Sequence, residues 1–274
     1  MKKLDLKEIH EVTLNVMDRI HAICEENDIR YTLMFGTLIG AFRHQGFIPW
    51  DDDLDICMLR EDYDRFCEIT GKEKGRYRLV DRANTEKYLY GIARYCDSHY
   101  EYRRDLAENR YDLGVFVDIY PMDSCGETAE ETAPVYQKVL RRNQEYFYYC
   151  TKYSMTGRWK NLIKVPYYSY LHMKYGQDYP QKIDNLITDT IYSHFQRDSK
   201  YVGVYWEPPE AFMLFEREPF LNRELHVFED RQYWVPTRAT EILTQYYGDY
   251  MKLPPESERV TTHSYSIYEK EDFT

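Results

Sequence analysis

The sequence has no apolar run near the ~18 residues that cross a bilayer as a helix, and residues 1–8 lack the apolar centre of a signal peptide. These absences predict a cytoplasmic chain with no direct membrane insertion. Its six cysteines, Cys24, Cys57, Cys67, Cys96, Cys125 and Cys150, are dispersed, with no Cys-x-x-Cys pair and no His-x-x-x-His partner nearby. Neither a zinc ribbon nor a disulfide framework is supported. Basic side chains are in deficit, 36 Lys and Arg against 47 Asp and Glu, for a formal charge of −11. Non-specific nucleic-acid binding depends on cations neutralising phosphates, so a nucleic-acid partner is not expected. There is no P-loop and no Gly-x-Gly-x-x-Gly fingerprint, and residues 157–160 have the spacing of neither. Internal repeats and low-complexity tracts are absent too.

What is present is a folded chain. Its 274 residues fit one large domain or one domain with an insertion, and 43% hydrophobic with 16% aromatic residues supply a sizeable core. Ile9, Val12, Val16, Ile20, Ile23 and Cys24 predict an amphipathic helix over 6–26. A short strand over 31–35, a turn at Gly36 and a short helix over 37–42 follow. Leu54, Ile56 and Met58 alternate with Asp53, Asp55 and Cys57, the pattern of a half-buried strand. Helical spacing resumes over 61–69, and 77–80, 88–95 and 114–120 are strand candidates. The core reads as a mixed α/β sheet flanked by helices.

Beyond Asp123 the texture turns helical. Thr128 and Glu131 have the spacing of a capping box before a helix over 130–151, and helices over 159–175 and 180–196 are expected next. Strand-like runs return at 201–206 and 225–228, and a last helix over 237–247 stops at Gly248. The division is a core over 1–126, a helical insertion over 127–200, and a C-terminal segment over 201–274 packing back on the core.

The densest chemical signal is Trp50-Asp51-Asp52-Asp53-Leu54-Asp55-Ile56. Residues two apart on a strand project from one face, so Asp53 and Asp55 point the same way. Two such carboxylates can share hard divalent cations that stabilise the oxygens of a phosphoryl transfer. The bland alternative is an acidic loop facing solvent.

These residues resemble a known family. Residues 35–55, FGTLIGAFRHQGFIPWDDDLD, are similar to the signature block of the LicD family, which includes bacterial phosphocholine transferases and is related to fukutin and fukutin-related protein. Residues 114–123, GVFVDIYPMD, and 247–255, YGDYMKLPP, with Arg259, agree in order. The resemblance implies a nucleotidyltransferase fold of the DNA polymerase β type. Gly36 and Thr37 match its turn, Asp53 and Asp55 its acidic pair, and Asp118 its third acid. It implies a LicD-type transferase that moves a phosphorylated head group, commonly phosphocholine from CDP-choline, onto a sugar hydroxyl of a surface glycan such as teichoic acid, lipopolysaccharide or capsule. The cofactor implied is Mg²⁺ or Mn²⁺, with Asp53, Asp55 and Asp118 as ligands or, for Asp118, as base to the acceptor hydroxyl.

Other donors, CDP-ribitol, CDP-glycerol, CDP-ethanolamine or a CMP-linked phosphonate, remain open, because the acidic motif reads phosphates and not the head group. A catalytically inactive glycan-binding relative is the rival from another class. A lipid-linked acceptor would place the chain at the inner membrane face without an anchor. Gly36 would let backbone amides approach donor phosphates, and Thr37 lies at a helix start. Arg43 and His44 are read either as phosphate contacts or as partners of a helix C-terminal dipole. Asp51 and Asp52 are read as extra ligands or as loop caps, Phe47 and Trp50 as anchors, and Arg259 and His263 as a solvated tail or a cover over the site. The 29 tyrosines invite an aromatic cage for choline, but they are spread over the whole chain.

Overall fold

The computed structural model describes residues 1–104, 111–150, 158–261 and 265–271. A short strand β1 (Lys2–Lys3) precedes helix α1 (Leu6–Asn27), whose Val16, Ile20, Ile23 and Cys24 enter the main core. Asp5 accepts the Glu8 N–H and Glu8 accepts the Asp5 N–H, a reciprocal cap that fixes the helix start.

β2 (Thr32–Leu33), α2 (Phe35–His44), β3 (Asp55–Leu59), α3 (Arg60–Thr70), β4 (Tyr77–Val80), β5 (Ala93–Asp97), β6 (Tyr100–Arg104) and β7 (Val115–Ser124) follow. The main sheet has the order β2-β3-β7-β5-β4, with β3 and β7 parallel and the other pairs antiparallel. It is the mixed sheet flanked by helices that the pattern predicts, with four local corrections. α2 starts at Phe35, so Gly36 lies in its first turn and not before it. β3 starts at Asp55, so Asp53 lies in the loop before the strand and does not share its face. All five residues of β3 are buried, not half of them, because the strand lies inside the sheet with α2 and α3 packed against it. The strand expected over 88–95 starts only at Ala93, since the chain at Gly91 gives way to the ring of Trp206.

β7 is central in the sheet, so Asp118 lies on an interior strand. Pro121 is tolerated there for a topological reason. Asp118 N–H bonds to Leu54 O in β3, so Pro121, three residues on, turns its missing donor to the other side, where β5 has ended at Ala93 opposite Ile119.

Next come the expected helices, α4 (Ala129–Cys150), α5 (Arg158–Tyr175) and α6 (Tyr179–Tyr192), which share a second apolar cluster built on Val139, Tyr146, Leu171, Ile183 and Ile191. The capping box forms by half: Glu131 N–H bonds to Thr128 Oγ1, whereas the Glu131 carboxylate takes the N–H of Glu127. The expected end of α4 at Thr151 lies outside the described residues.

The chain then returns to the main core through β8 (Tyr201–Gly203), β9 (Phe215–Glu216), α7 (Glu218–Leu221), the hairpin β10 (Arg223–Phe228) and β11 (Arg231–Pro236), and α8 (Ala239–Tyr247). β8 pairs with the end of β7, and β12 (Tyr265–Glu269) lies between β1 and β6.

Candidate active site

The turn from β2 into α2 holds the acidic strand. Asp55 is fixed by both backbone groups: its carbonyl accepts the Met34 N–H at 3.1 Å and its N–H donates to Thr37 Oγ1 at 2.8 Å. Thr37 is thus a support for Asp55, its hydroxyl 18 residues back in sequence. Gly36 sits against Asp51, where an added Cβ would come within 3.0 Å of Oδ2. Just before Gly36, Phe35 adopts φ +52°, a left-handed conformation that costs a bulky residue about 1–3 kcal/mol. Its ring is held by Tyr120 and Tyr246, with centroids 4.9 and 5.6 Å away.

Parallel pairing places Asp55 directly opposite Asp118, and β5 places Arg94 opposite Asp118 on the other side. Arg94 Nε donates to Asp118 Oδ1 at 2.6 Å, and its guanidinium lies 4.3 Å from the Phe116 ring and 4.5 Å from that of Tyr90. The carboxylates of Asp51, Asp52 and Asp53 offer oxygens within 4.8 Å of one another. Their loop is pinned from two distant elements: the His10 ring on α1 donates to Asp51 O at 2.6 Å, and the Tyr265 hydroxyl on β12 to Asp52 O at 3.2 Å. Phe47 stacks on His10 at 4.0 Å, as an anchor should.

The crowding of acids is visible in Asp55. Burial first, then repulsion from Asp53, Asp118, Asp51 and Glu207, push its carboxyl well above the usual carboxylate range. Asp55 Oδ1 is buried without a hydrogen-bond partner. Glu207, itself raised by burial, accepts from Tyr246 OH at 3.3 Å. Sequence reasoning missed Arg94, Glu207, His10 and Tyr265. Only the alternation of β7 hinted that Asp118 needed a partner.

Arg43 and His44 are placed at the end of α2, and Arg43 is drawn to the third sequence block: Nη1 donates to Tyr250 O at 2.7 Å and Nε to His44 Nε2 at 2.9 Å. Burial holds both side chains below their ordinary pKa values, helped in His44 by Arg43. Arg259 comes to the same place, 5.8 Å from the Trp50 ring, with Nε on Pro254 O. His263 lies outside the described residues.

A cavity of about 600 Å³ opens farther along β7, between the sheet, α3 and helices α4 and α6, and none of Asp53, Asp55 and Asp118 lines it. Its floor is Arg60, clamped on Asp123 at 2.8 and 2.7 Å, both side chains buried.

Comparison with known proteins adds the family context. Residues 28–162 match the family model described as LicD/FKTN/FKRP, nucleotidyltransferase domain. The chain is 32% identical over 275 residues to the lipopolysaccharide cholinephosphotransferase LicD of Haemophilus influenzae, covering 98% of this chain and 99% of that protein. A shorter match, 40% identical over 53 residues, links it to the human and mouse ribitol 5-phosphate transferase FKRP, over 19% of this chain and 11% of those proteins.

Proposed function

The chain belongs to the LicD/FKTN/FKRP family, and from that premise we propose that it transfers a phosphorylated head group from a cytidine-linked donor to a sugar hydroxyl of a cell-surface glycan. The donor is CDP-choline and the group phosphocholine. The acceptor oxygen forms the new bond to the distal phosphorus, the pyrophosphate bond breaks, CMP leaves, and the hydroxyl proton is released. The chain works in the cytoplasm, at the inner membrane face when its acceptor is lipid-linked; among the described residues no helix is long and apolar enough to cross a membrane.

The observation that carries this reading is the buried, partnerless oxygen of Asp55 beside Asp118, next to the clustered carboxylates of residues 51–53. A set of oxygen donors with an unsatisfied buried carboxylate fits a hard divalent cation. Asp53, Asp55 and Asp118 would hold Mg²⁺ or Mn²⁺, which when bound offsets the negative charge of the transferring group. Around it, Thr37 fixes the backbone of Asp55 and Arg94 fixes the carboxylate of Asp118. Asp118 serves as third ligand, with base to the acceptor hydroxyl as its other assignable role. We also read the fold as the DNA polymerase β type of nucleotidyltransferase, with 1–126 as its catalytic core, 127–200 as the acceptor-binding part and 201–274 completing the core.

The test is a transfer assay with lipopolysaccharide and teichoic-acid acceptors, run with CDP-choline, CDP-ribitol, CDP-glycerol and CDP-ethanolamine and either Mg²⁺ or Mn²⁺. CMP release with CDP-choline that stops on chelation is the expected result. Release only with another donor would replace phosphocholine, and no turnover with any donor, alongside retained glycan binding, would mark an inactive glycan-binding relative.

A further inference from the structure

The cavity between the sheet and helices α4 and α6 has a chemistry of its own. Arg82 forms one wall, 3% exposed and sandwiched by rings, its guanidinium 4.5 Å from Tyr146 and 5.6 Å from Trp206. Nη1 donates to Asp184 at 2.8 Å, and Nη2 to Asn143 at 3.0 Å and Leu89 O at 3.2 Å, but the buried Nε–H has no partner. A buried guanidinium donor with no acceptor is rarely left so, and Arg82 is one of the residues lining an open space from which an acceptor can come.

The charge of the lining decides what kind of acceptor. Carboxylates outnumber cations six to four, which disfavours a phosphorylated ligand. A small cation is disfavoured in turn, because the two buried cations on the wall, Arg60 and Arg82, are fixed there by Asp123 and Asp184. What remains is a neutral ligand that both donates and accepts hydrogen bonds and has an apolar face. Hydroxyls can accept from Arg82 Nε and donate to carboxylates, while the Trp206 indole supplies a flat surface for C–H bonds. Trp206 is not free to swing away: it is wedged over Gly91, where a Cβ would lie 2.6 Å from the ring.

The cavity also adjoins the acidic site through the chain itself. Trp206 lines it, and the next residue, Glu207, accepts from Tyr246 OH at 3.3 Å, whose ring lies 5.6 Å from that of Phe35 at the start of α2, and offers its carbonyl to Tyr136 of α4 at 2.7 Å. We propose that this cavity is a saccharide subsite, holding a neutral pyranose-sized unit of the acceptor glycan; this rests on the transferase reading above.

Binding is measured without any donor, so the two readings fail separately. The probes are methyl glycosides of glucose, galactose and N-acetylglucosamine, free choline, and CMP, followed by saturation-transfer NMR on the full chain. Thr188→Trp fills the cavity from α6, and Asn185→Trp does so from its exposed mouth should the first fail to fold. At least one glycoside is expected to bind, with affinity reduced at least about tenfold, ~1.4 kcal/mol, in the filled variants. In those variants the acceptor KM should rise while the donor KM stays. Glycoside binding that filling leaves unchanged, or a cavity that takes only choline or CMP, would overturn the subsite. Cavity-dependent glycoside binding in a chain with no turnover would keep the saccharide site and sink the transferase reading instead.

Discussion

Two ends of one strand treat their aspartates in opposite ways. At the cavity end of β7, Asp123 is clamped by Arg60 and capped by Tyr192 OH at 3.1 Å, so its charge is balanced inside the protein. Five residues earlier, at the acidic end, Asp118 is gripped by Arg94, but its neighbour Asp55 is buried among other acids with one oxygen unsatisfied. The difference separates structure from chemistry. The Arg60–Asp123 pair is part of the scaffold, whereas a buried acid crowded by other acids, as Asp55 is, stands in place for something the protein does not itself supply.

The contrast breaks most visibly at Asp53 and Asp55. Asn at either position is expected to lower turnover by at least about 10⁴-fold, ~5.4 kcal/mol of barrier, with the far-ultraviolet circular dichroism unchanged. Activity within about tenfold of wild type would remove that carboxylate from the ligand set. Asp118→Ala should cost about 10³-fold, ~4 kcal/mol, mostly in kcat, with donor binding measured by calorimetry much less affected; equal loss of donor affinity would assign Asp118 to donor binding instead.

At the scaffold end the readout is stability. Arg60→Met strands Asp123 in the interior and should cost about 3–5 kcal/mol in urea unfolding, whereas Arg60→Met with Asp123→Leu should recover most of it. A single variant costing under about 1 kcal/mol would mean that the pair does not hold α3 to β7. Thr37→Val leaves the Asp55 N–H buried without its acceptor, for an expected loss of about 1–3 kcal/mol by the same measurement.

The smallest effect has the opposite sign. Without metal, Asp55→Asn should stabilise the fold by about 1 kcal/mol, because it removes a buried charge repelled by its neighbours. Since the folded state holds the Asp55 proton more tightly than the unfolded chain, wild-type stability falls as pH rises from the ordinary carboxylate value of 3.8 through the raised one. The variant's advantage should therefore be larger at pH 8 than at pH 5. Melting curves showing no advantage at either pH would mean that Asp55 is not strained in the apo protein.

Much of the architecture was legible along the chain. The helices α1, α3, α4, α5 and α6 follow from apolar spacing, and the mixed sheet from short β-branched runs. β6 and β12 escaped because the tyrosines that cover the small cluster around Ile267, namely Tyr100, Tyr102 and Tyr265, are interleaved with polar or charged residues, as in YEYRR and YSIYE, which reads as amphipathic surface until another strand covers it.

The family is legible in a contiguous block running from Phe35 to Asp55, and with it which acids to watch, because local chemistry and chain order are written in one dimension. That Asp118 lies opposite Asp55, that Arg94 holds it, that Arg43 clasps the loop after α8, and that Trp206 walls a cavity one residue from Glu207 emerge from the folded chain alone. The first three join residues at least 24 positions apart in the sequence. Strand register and loop closure set such pairs, and both depend on the whole sheet burying its faces together.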